Sequence, residues 1–278
     1  MSEPQNELLE ILNLEQIELD LYRGLTPARQ GQRIYGGQVV AQALTAAYRT
    51  IEDRLCHSMH AYFIRPGDPS IPILFQVDRA RDGGSFSVRR VTAIQNGKQI
   101  FNLAASFQVP EDGFEHQDQL PVVPAPEDLL NEEQLREADG IPPRDRDWPV
   151  EVRPIDPQRR DQTEPMAPLY NVWFKARKSV GTDVAVNQCA LAYGSDMSLL
   201  DASLRPHPVP HGHLQVASLD HALWFHRASD FSDWHLYVQD SPSASGGRGF
   251  NRGSIFDRQG RLVASATQEA LIRHRPPG

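Results

Sequence analysis

The stretch TDVAVNQCALAYGSDMSLL, from Thr182 to Leu200, predicts a helix whose apolar residues recur at the spacing of one helical face. Asp196 lies at the edge of that face, and Ser195 is expected to point away from it. A carboxylate beside a buried face is costly unless a partner compensates for it or the protein uses it. Asp196 is therefore either a cap that hydrogen-bonds to a neighbouring loop or part of a functional site.

Two later stretches each place one polar residue in an apolar row. Residues 214–226, LQVASLDHALWFH, read as a strand with Ser218 on its apolar side. Residues 262–272, LVASATQEALI, read as a strand in which Gln268 is the only polar member of one row. A single polar residue in an apolar row is usually a core residue that hydrogen-bonds to its surroundings. Three such residues can hydrogen-bond to one another. Asp196, Ser218 and Gln268 therefore predict a shared polar site.

Length and composition limit the classes of protein to which the chain can belong. Its 278 residues suffice for two domains, and 40% apolar with 23% charged residues is typical of soluble globular proteins. The net charge of -8 argues against a nucleic-acid partner. Cys56 and Cys189 lie in apolar stretches, which indicates buried thiols in a reducing compartment. We expect a cytoplasmic protein without membrane insertion, because the sequence shows neither a signal-peptide pattern nor a membrane-spanning stretch.

The order of elements predicts an internal repeat. Each half reads as a strand, here Leu14–Tyr22 or Tyr170–Ala176, followed by a long helix and a meander of four strands. HSMHAYFIRPGD from His57 matches SLDHALWFHRASD from Ser218, and AASFQ ending at Gln108 matches ASATQ ending at Gln268. Because antiparallel strands must wrap an apolar helix to bury it, the predicted fold class is α+β with two tandem hotdog domains, a double hotdog.

The repeat also predicts the domain organisation. Residues 1–112 form the N-terminal hotdog domain, and residues 148–278 form the C-terminal one, which carries the predicted polar site. Residues 113–147 are rich in Pro and acidic residues and read as a linker over the surface.

The chain resembles the type II acyl-CoA thioesterases, the TesB family of double-hotdog enzymes. The resembling stretches are IYGGQVVAQAL from Ile34, HSMHAYFIRPGDPSIPI from His57, SFSVRRVTAIQNGKQIF from Ser85, LAYGSDMSLL from Leu191 and HALWFHR from His221. The resemblance implies that Asp196, Ser218 and Gln268 are catalytic, with Ser218 where family members carry Thr. It also implies hydrolysis of fatty acyl-CoA to free fatty acid and coenzyme A by a water that these three residues hold.

Other residues are candidates for supporting roles. Gly36 and Gly37 open the first long helix, where backbone N–H groups are suited to stabilise an oxyanion. His57 is an alternative general base, although a core histidine with satisfied hydrogen bonds is the simpler reading. On a strand, His57 and His60 point to opposite faces, so no metal site is expected and no cofactor is required. The N-terminal half keeps Gln108, and in the repeat alignment it has His57 at the position of Ser218. This predicts a degenerate second site.

Four arginines are candidate anchors for the coenzyme A phosphates: Arg89, Arg90, Arg248 and Arg252. The alternative is a solvated strand face with ion pairs. The expected partners are the acyl-CoA substrate and further copies of the chain, as a dimer or tetramer, because hotdog surfaces commonly pair.

Three other functions fit the sequence less well. A serine α/β-hydrolase is disfavoured because no GxSxG motif is present. A hotdog enoyl-CoA hydratase needs an Asp and a His on the helix, and residues 182–200 contain no His. A non-catalytic acyl-CoA-binding protein would be favoured if one of the three polar residues were missing, and all three are present.

Overall fold

The computed structural model describes residues 6–27, 32–144, 148–157, 163–209 and 213–275. Its α-helices are α1 Glu7–Leu12, α2 Gly36–Tyr48, α3 Glu132–Ala138, α4 Val184–Ser195 and α5 Asp201–Leu204. The strands of the first half are β1 Glu15–Glu18, β2 Leu21–Gly24, β3 Leu55–Phe63, β4 Ile73–Asp82, β5 Phe86–Gln95 and β6 Lys98–Gln108. Those of the second half are β7 Val150–Pro154, β8 Leu169–Ala176, β9 Leu214–Ser218, β10 Asp220–Phe225, β11 His235–Ser245, β12 Arg248–Asp257 and β13 Leu262–His274.

The strands of the described residues form one continuous antiparallel sheet. Their order is β1-β2-β4-β5-β6-β3-β10-β13-β12-β11-β8-β7, and β9 also pairs with β13. The two halves join where β3 and β10 pair, with Tyr62 opposite Asp220 and Ser58 opposite Trp224. The predicted double-hotdog sheet is therefore confirmed. The four strands after each helix are not a simple meander, because β3 and β10 return to lie beside the last strand of their own half.

Two predicted strands are interrupted. The stretch Leu14–Tyr22 is a hairpin of β1 and β2, and Asp20 has a φ of 57° in its turn. The stretch Leu214–Phe225 breaks at Leu219, whose carbonyl accepts from Phe63 and whose N–H donates to the carbonyl of Glu269. Because one residue bulges out of the ladder there, the alternation of faces changes after Ser218. By contrast, the predicted hairpin turn at residues 96–97 is confirmed.

Irregularities that the two halves share fix which residues correspond. The β4–β5 register shifts between Asp78 and Arg81, and the β11–β12 register shifts between Asp240 and Ser243. Asp78 lies opposite Arg90, as Asp240 lies opposite Arg252. The two arginines therefore occupy equivalent positions on their outer strand faces.

This correspondence corrects the predicted repeat alignment around the polar site. β3 bulges between Cys56 and Ser58, as the second half does between β9 and β10, so Cys56 is equivalent to Ser218. On the neighbouring strand, Ala105 lies opposite Arg89 as Gln268 lies opposite Asn251. The equivalents of Ser218 and Gln268 are thus Cys56 and Ala105, not His57 and Gln108.

Helices α2 and α4 pack against each other in antiparallel orientation on one side of the sheet. The Tyr35 hydroxyl at the start of α2 donates to the Tyr193 carbonyl near the end of α4. At the other end, Tyr48 hydrogen-bonds to Gln188. Residues 187–195 are all buried, so the predicted one-faced helix is wrong, and Ser195 is fully buried rather than turned away. The reason is that one core spans both halves and encloses α4.

The Pro- and acid-rich segment packs on the second half. The indole N–H of Trp173 donates to the carbonyl of Pro124 at 2.9 Å, and Arg153 donates to the carbonyls of Pro126 and Leu129. A small apolar cluster around Trp173 and Trp234 receives side chains from this segment. No helix in the described residues is long and apolar enough to cross a membrane.

Candidate active site

The C-terminal end of α4 meets the N-terminal end of α2, and Asp196 lies at this junction. A Cβ added to Gly37 would lie 2.4 Å from the carbonyl oxygen of Tyr193, which is closer than backbone allows. A Cβ added to Gly36 would lie 2.7 Å from Oδ2 of Asp196. The two glycines therefore let the helix ends approach, and the partial positive charge at the start of α2 faces the carboxylate.

The Asp196 carboxylate accepts hydrogen bonds from three elements. The side-chain amide of Gln268 on β13 donates to Oδ1 at 2.6 Å. The backbone N–H of Gly37 and the hydroxyl of Ser218, at the end of β9, also hydrogen-bond to it. The structure thus brings Asp196, Ser218 and Gln268 together, as the patterning of the sequence predicts.

Burial makes this carboxylate unusually basic. Asp196 is 8% exposed, and burial raises its pKa from 3.8 to about 6. Hydrogen bonds from Gln268, Gly37 and Ser218 act in the opposite direction, because they stabilise the charged form. The group is therefore mostly ionised at neutral pH, yet its pKa is high enough for it to accept a proton from a bound donor.

Gln268 offers a second polar atom beside Asp196. Its side chain is 0% exposed, and its amide nitrogen is used by the carboxylate. Its carbonyl oxygen Oε1 has no hydrogen-bond partner among the described residues. Buried acceptors are normally paired, so this oxygen is available to an O–H group of a bound molecule.

Several residues that hold this junction were not predicted from the sequence. The Tyr35 hydroxyl donates to the Tyr193 carbonyl at 2.8 Å, and the Tyr237 hydroxyl donates to the Ser195 carbonyl at 3.1 Å. Ser195 and His221 hydrogen-bond to each other through their side chains. Tyr35 directly precedes the glycine pair, which is a local signal. Nothing in the sequence marks Tyr237, because it lies on a distant strand.

His57, the alternative general base, lies far from Asp196. His57 hydrogen-bonds to the Ser106 hydroxyl at 2.8 Å and packs edge-on against Phe86, and burial lowers its pKa. It lies six residues before Phe63, which borders Gly36, so about 20 Å of strand separates it from Asp196. His57 therefore does not reach the Asp196 site, and its role as an alternative general base in the first half stays a prediction. No group of three or more His, Cys, Asp or Glu within the described ranges is placed to hold a metal ion.

The four candidate arginines have different surroundings. Arg89 is 2% exposed and donates to Thr50, to the Arg81 and Val88 carbonyls and to Asp82, which gives it a structural role and contradicts its prediction as a phosphate anchor. The other three lie on the outer face of the sheet, away from the helices. Arg248 pairs with Glu269, Arg252 pairs with Asp240, and Arg90 is exposed.

The equivalent place in the first half is filled. Tyr48 at the end of α2 accepts from the Cys56 backbone N–H at 2.7 Å, and its ring packs against Phe107 at 5.0 Å between centroids. Gln108 donates to Glu111 instead of facing the core. The first half has Cys56 in place of the Ser218 hydroxyl and Ala105 in place of the Gln268 amide. It therefore lacks these two polar groups of the second half. The prediction of a degenerate site agrees with this geometry, although the residues differ from those expected.

Comparisons with known proteins agree with the fold. Residues 26–108 match the family model of an acyl-CoA thioesterase N-terminal domain, and residues 144–271 match that of acyl-CoA thioesterase. Acyl-CoA thioesterase 2 of Haemophilus influenzae is 42% identical, with 98% of this chain and 99% of its own length aligned. The chain belongs to the type II acyl-CoA thioesterase (TesB) family. It is thus a thioester hydrolase.

Further relatives cover nearly the whole chain. Human acyl-coenzyme A thioesterase 8 is 39% identical over 96% of this chain and 88% of its own length. The crystal structure of the acyl-CoA thioesterase II TesB2 from Mycobacterium marinum has a TM-score of 0.81 and 43% identity, with 96% of this chain and 98% of that one aligned. This type II thioesterase therefore shares both sequence and fold with its relatives along nearly its full length.

Proposed function

We propose that this protein hydrolyses fatty acyl-CoA esters to a free fatty acid and coenzyme A, with Asp196 as general base and with Ser218 and Gln268 orienting the attacking water. The observation that carries the proposal is the buried hydrogen bond of 2.6 Å between Gln268 and Asp196, on a carboxylate that Ser218 also contacts. A buried, basic carboxylate flanked by two orienting groups suits general-base catalysis.

The reaction needs one water and no cofactor. One O–H bond of the water points to Asp196, and the other points to Oε1 of Gln268, which has no other partner in the described part of the chain. As the water oxygen bonds to the thioester carbonyl carbon, its proton passes to Asp196. The tetrahedral intermediate then collapses, the C–S bond breaks, and the proton returns to the leaving thiolate, which leaves as the thiol of coenzyme A. Holding the water in place supplies much of the acceleration.

The oxyanion of the intermediate also needs donors. The N–H of Gly37 is used by Asp196, so its predicted role at the oxyanion is replaced by one at the base. Gly36 stands one residue earlier, in the first turn of α2, where N–H groups have no intrahelical acceptor. We therefore assign the oxyanion to the N–H of Gly36, together with the positive end of the helix.

Four further expectations remain part of the proposal. Arg90, Arg248 and Arg252 stay candidates for contacts with coenzyme A phosphates, whereas Arg89 does not. A cytoplasmic location is supported by two free, buried cysteines. A homo-oligomer and the domain limits at residues 1–112, 113–147 and 148–278 stay predictions, and light scattering with limited proteolysis would test them.

A thiol-release assay tests the function. The purified protein would be given acyl-CoA esters of increasing chain length, and free coenzyme A thiol would be measured. We expect turnover by the wild type and a loss in Asp196→Asn. Asp183→Asn is the matched control, because Asp183 caps the other end of the same helix and Asn keeps that cap. No thiol release at any chain length would favour a binding protein, and an active Asp196→Asn variant would refute the role of Asp196.

A further inference from the structure

A buried hydrogen bond ties the helix that carries Asp196 to the strand that follows Ser218. The Ser195 hydroxyl lies 2.9 Å from Nε2 of His221, and both side chains are 0% exposed. Ser195 directly precedes Asp196, and His221 is the second residue of β10, just beyond the bulge at Leu219. The hydrogen bond therefore links the helix end that carries Asp196 to the strand that follows Ser218.

The protons in this pair can be assigned. The Ser195 hydroxyl has one proton, and its oxygen also lies 3.0 Å from the carbonyl of Ala192, to which it donates. Nε2 of His221 must then donate to the Ser195 oxygen. The other ring nitrogen, Nδ1, has no partner among the described residues, which suits a lone pair better than an N–H. His221 is therefore neutral, in keeping with a pKa that burial lowers to about 4.

The C-terminal end of α4 is held by side chains from three elements. The final carbonyls of a helix have no intrahelical donors. Here the Tyr35 hydroxyl donates to the Tyr193 carbonyl, and the Tyr237 hydroxyl donates to the Ser195 carbonyl. His221 fixes the side chain of Ser195 itself. The helix end, and with it the backbone of Asp196, is thereby prevented from fraying.

We infer that His221, acting through Ser195, is a positioning residue that fixes Asp196 relative to Ser218 and Gln268. The inference rests on the proposed function, because it concerns the geometry of the proposed base. Catalytic groups misplaced by about 1 Å lose on the order of 100-fold in rate. A lost tether should therefore lower kcat with little change in KM, because the ester would still bind.

The chain offers a matched control for this inference. His226 on the other side of the same strand region also hydrogen-bonds to a serine, Ser265, at 2.9 Å, but it is exposed. We expect His221→Leu to lower kcat by roughly 10- to 100-fold, and His226→Leu to leave it unchanged. His221→Gln keeps an N–H donor near the position of Nε2 and should recover most of the rate.

Two further measurements separate positioning from mere stability. Ser195→Ala should lower kcat as His221→Leu does, and the double variant should be no worse than either, because both break one bond. The acidic limb of the pH–rate profile should also move to higher pH in both variants, since a displaced Asp196 loses hydrogen bonds that lower its pKa. If His221→Leu fails to fold, Ser195→Ala and His221→Gln carry the test.

The outcomes are distinguishable. Folded His221→Leu and Ser195→Ala proteins with normal kcat and an unmoved pH profile would overturn the inference while Asp196→Asn stays inactive. An active Asp196→Asn variant would instead reject the proposed function. Equal effects of His221→Leu and His226→Leu would mean that loss of either histidine–serine contact, rather than this tether, affects the rate.

Discussion

The side-chain amide of Gln268 donates to the carboxylate of Asp196 at 2.6 Å, although 72 positions separate the two residues in the chain. The amide keeps one oxygen free of protein partners in the described residues, while its nitrogen holds the carboxylate. One residue thus contacts both the proposed base and, in the proposal, the water on which the base acts. Loss of this amide should therefore affect both the orientation of the water and the pKa of Asp196.

The first prediction concerns coupling within the site. Asp196→Asn should lower kcat by roughly 10²–10⁴, the usual contribution of general-base catalysis. Ser218→Ala and Gln268→Ala should each cost less, because each only orients its neighbours. Combined with Asp196→Asn, neither should cost much more, since a site already without its base cannot lose the same function twice. Steady-state kinetics with circular dichroism melts would check this, and simple multiplication of the three effects would contradict it.

The second prediction concerns the pH dependence of kcat. Because Asp196 must be ionised and its pKa is raised to about 6, kcat should fall tenfold per pH unit well below that value. Ser218→Ala removes a hydrogen bond that lowers this pKa, so its acidic limb should lie at higher pH than that of the wild type. Rates at saturating substrate between about pH 4.5 and 8 would test this. An acidic limb near pH 4 would contradict the raised pKa of Asp196.

The third prediction concerns stability, and its sign follows from the raised pKa. The folded protein binds a proton at Asp196 up to about pH 6, whereas the unfolded chain releases it near 3.8. Stability is therefore lost as the pH rises between these values, by about 3 kcal/mol at 1.36 kcal/mol per pKa unit. Relative to the wild type, Asp196→Asn should gain stability over this window. Denaturant unfolding at about pH 4 and 7.5 would measure the difference, and a constant difference would contradict the raised pKa.

The fourth prediction concerns the contact between the helix ends. Gly37→Ala would place a methyl group 2.4 Å from the Tyr193 carbonyl oxygen, so α2 must move away from α4. We expect a loss of roughly 1–3 kcal/mol of stability and a lower kcat, because the Gly37 N–H also holds Asp196. Gly84→Ala is the control, since nothing lies within 4 Å of its Cβ position. Equal melting temperatures for the two variants would contradict the close approach.

The fifth prediction separates the arginines. Arg89→Ala should cost roughly 3 kcal/mol of stability without changing KM, because the buried guanidinium donates hydrogen bonds to Thr50 and Asp82 that the variant would lose. Arg90→Ala and Arg252→Ala should cost less than about 1 kcal/mol, since both are exposed. If either binds a coenzyme A phosphate, its substitution should raise KM for the full ester but not for a truncated thioester. A raised KM for both substrates would indicate a structural effect.

Much of the fold was predictable because it depends on local periodicity. The inward row of β13 ran as expected, with Gln268 buried among alanines. The turn at residues 96–97 adopts positive φ because Asn and Gly tolerate it. The prediction that α4 has only one buried face is wrong, because the pattern within a helix does not show that the first half of the chain covers its outer face.

The pattern of apolar residues identifies the polar residues that interrupt apolar rows, and it thereby selects Asp196, Ser218 and Gln268. The partners of these residues follow from contacts between parts of the chain that are distant in sequence. The N–H of Gly37 reaches Asp196 from the other half of the chain. The bulge at Leu219 changes the face of the sheet on which each residue after Ser218 lies. The physical reason is that periodicity encodes the face on which a side chain lies, whereas the approach of two distant backbones and the register of a bulged ladder depend on the packing of the whole sheet.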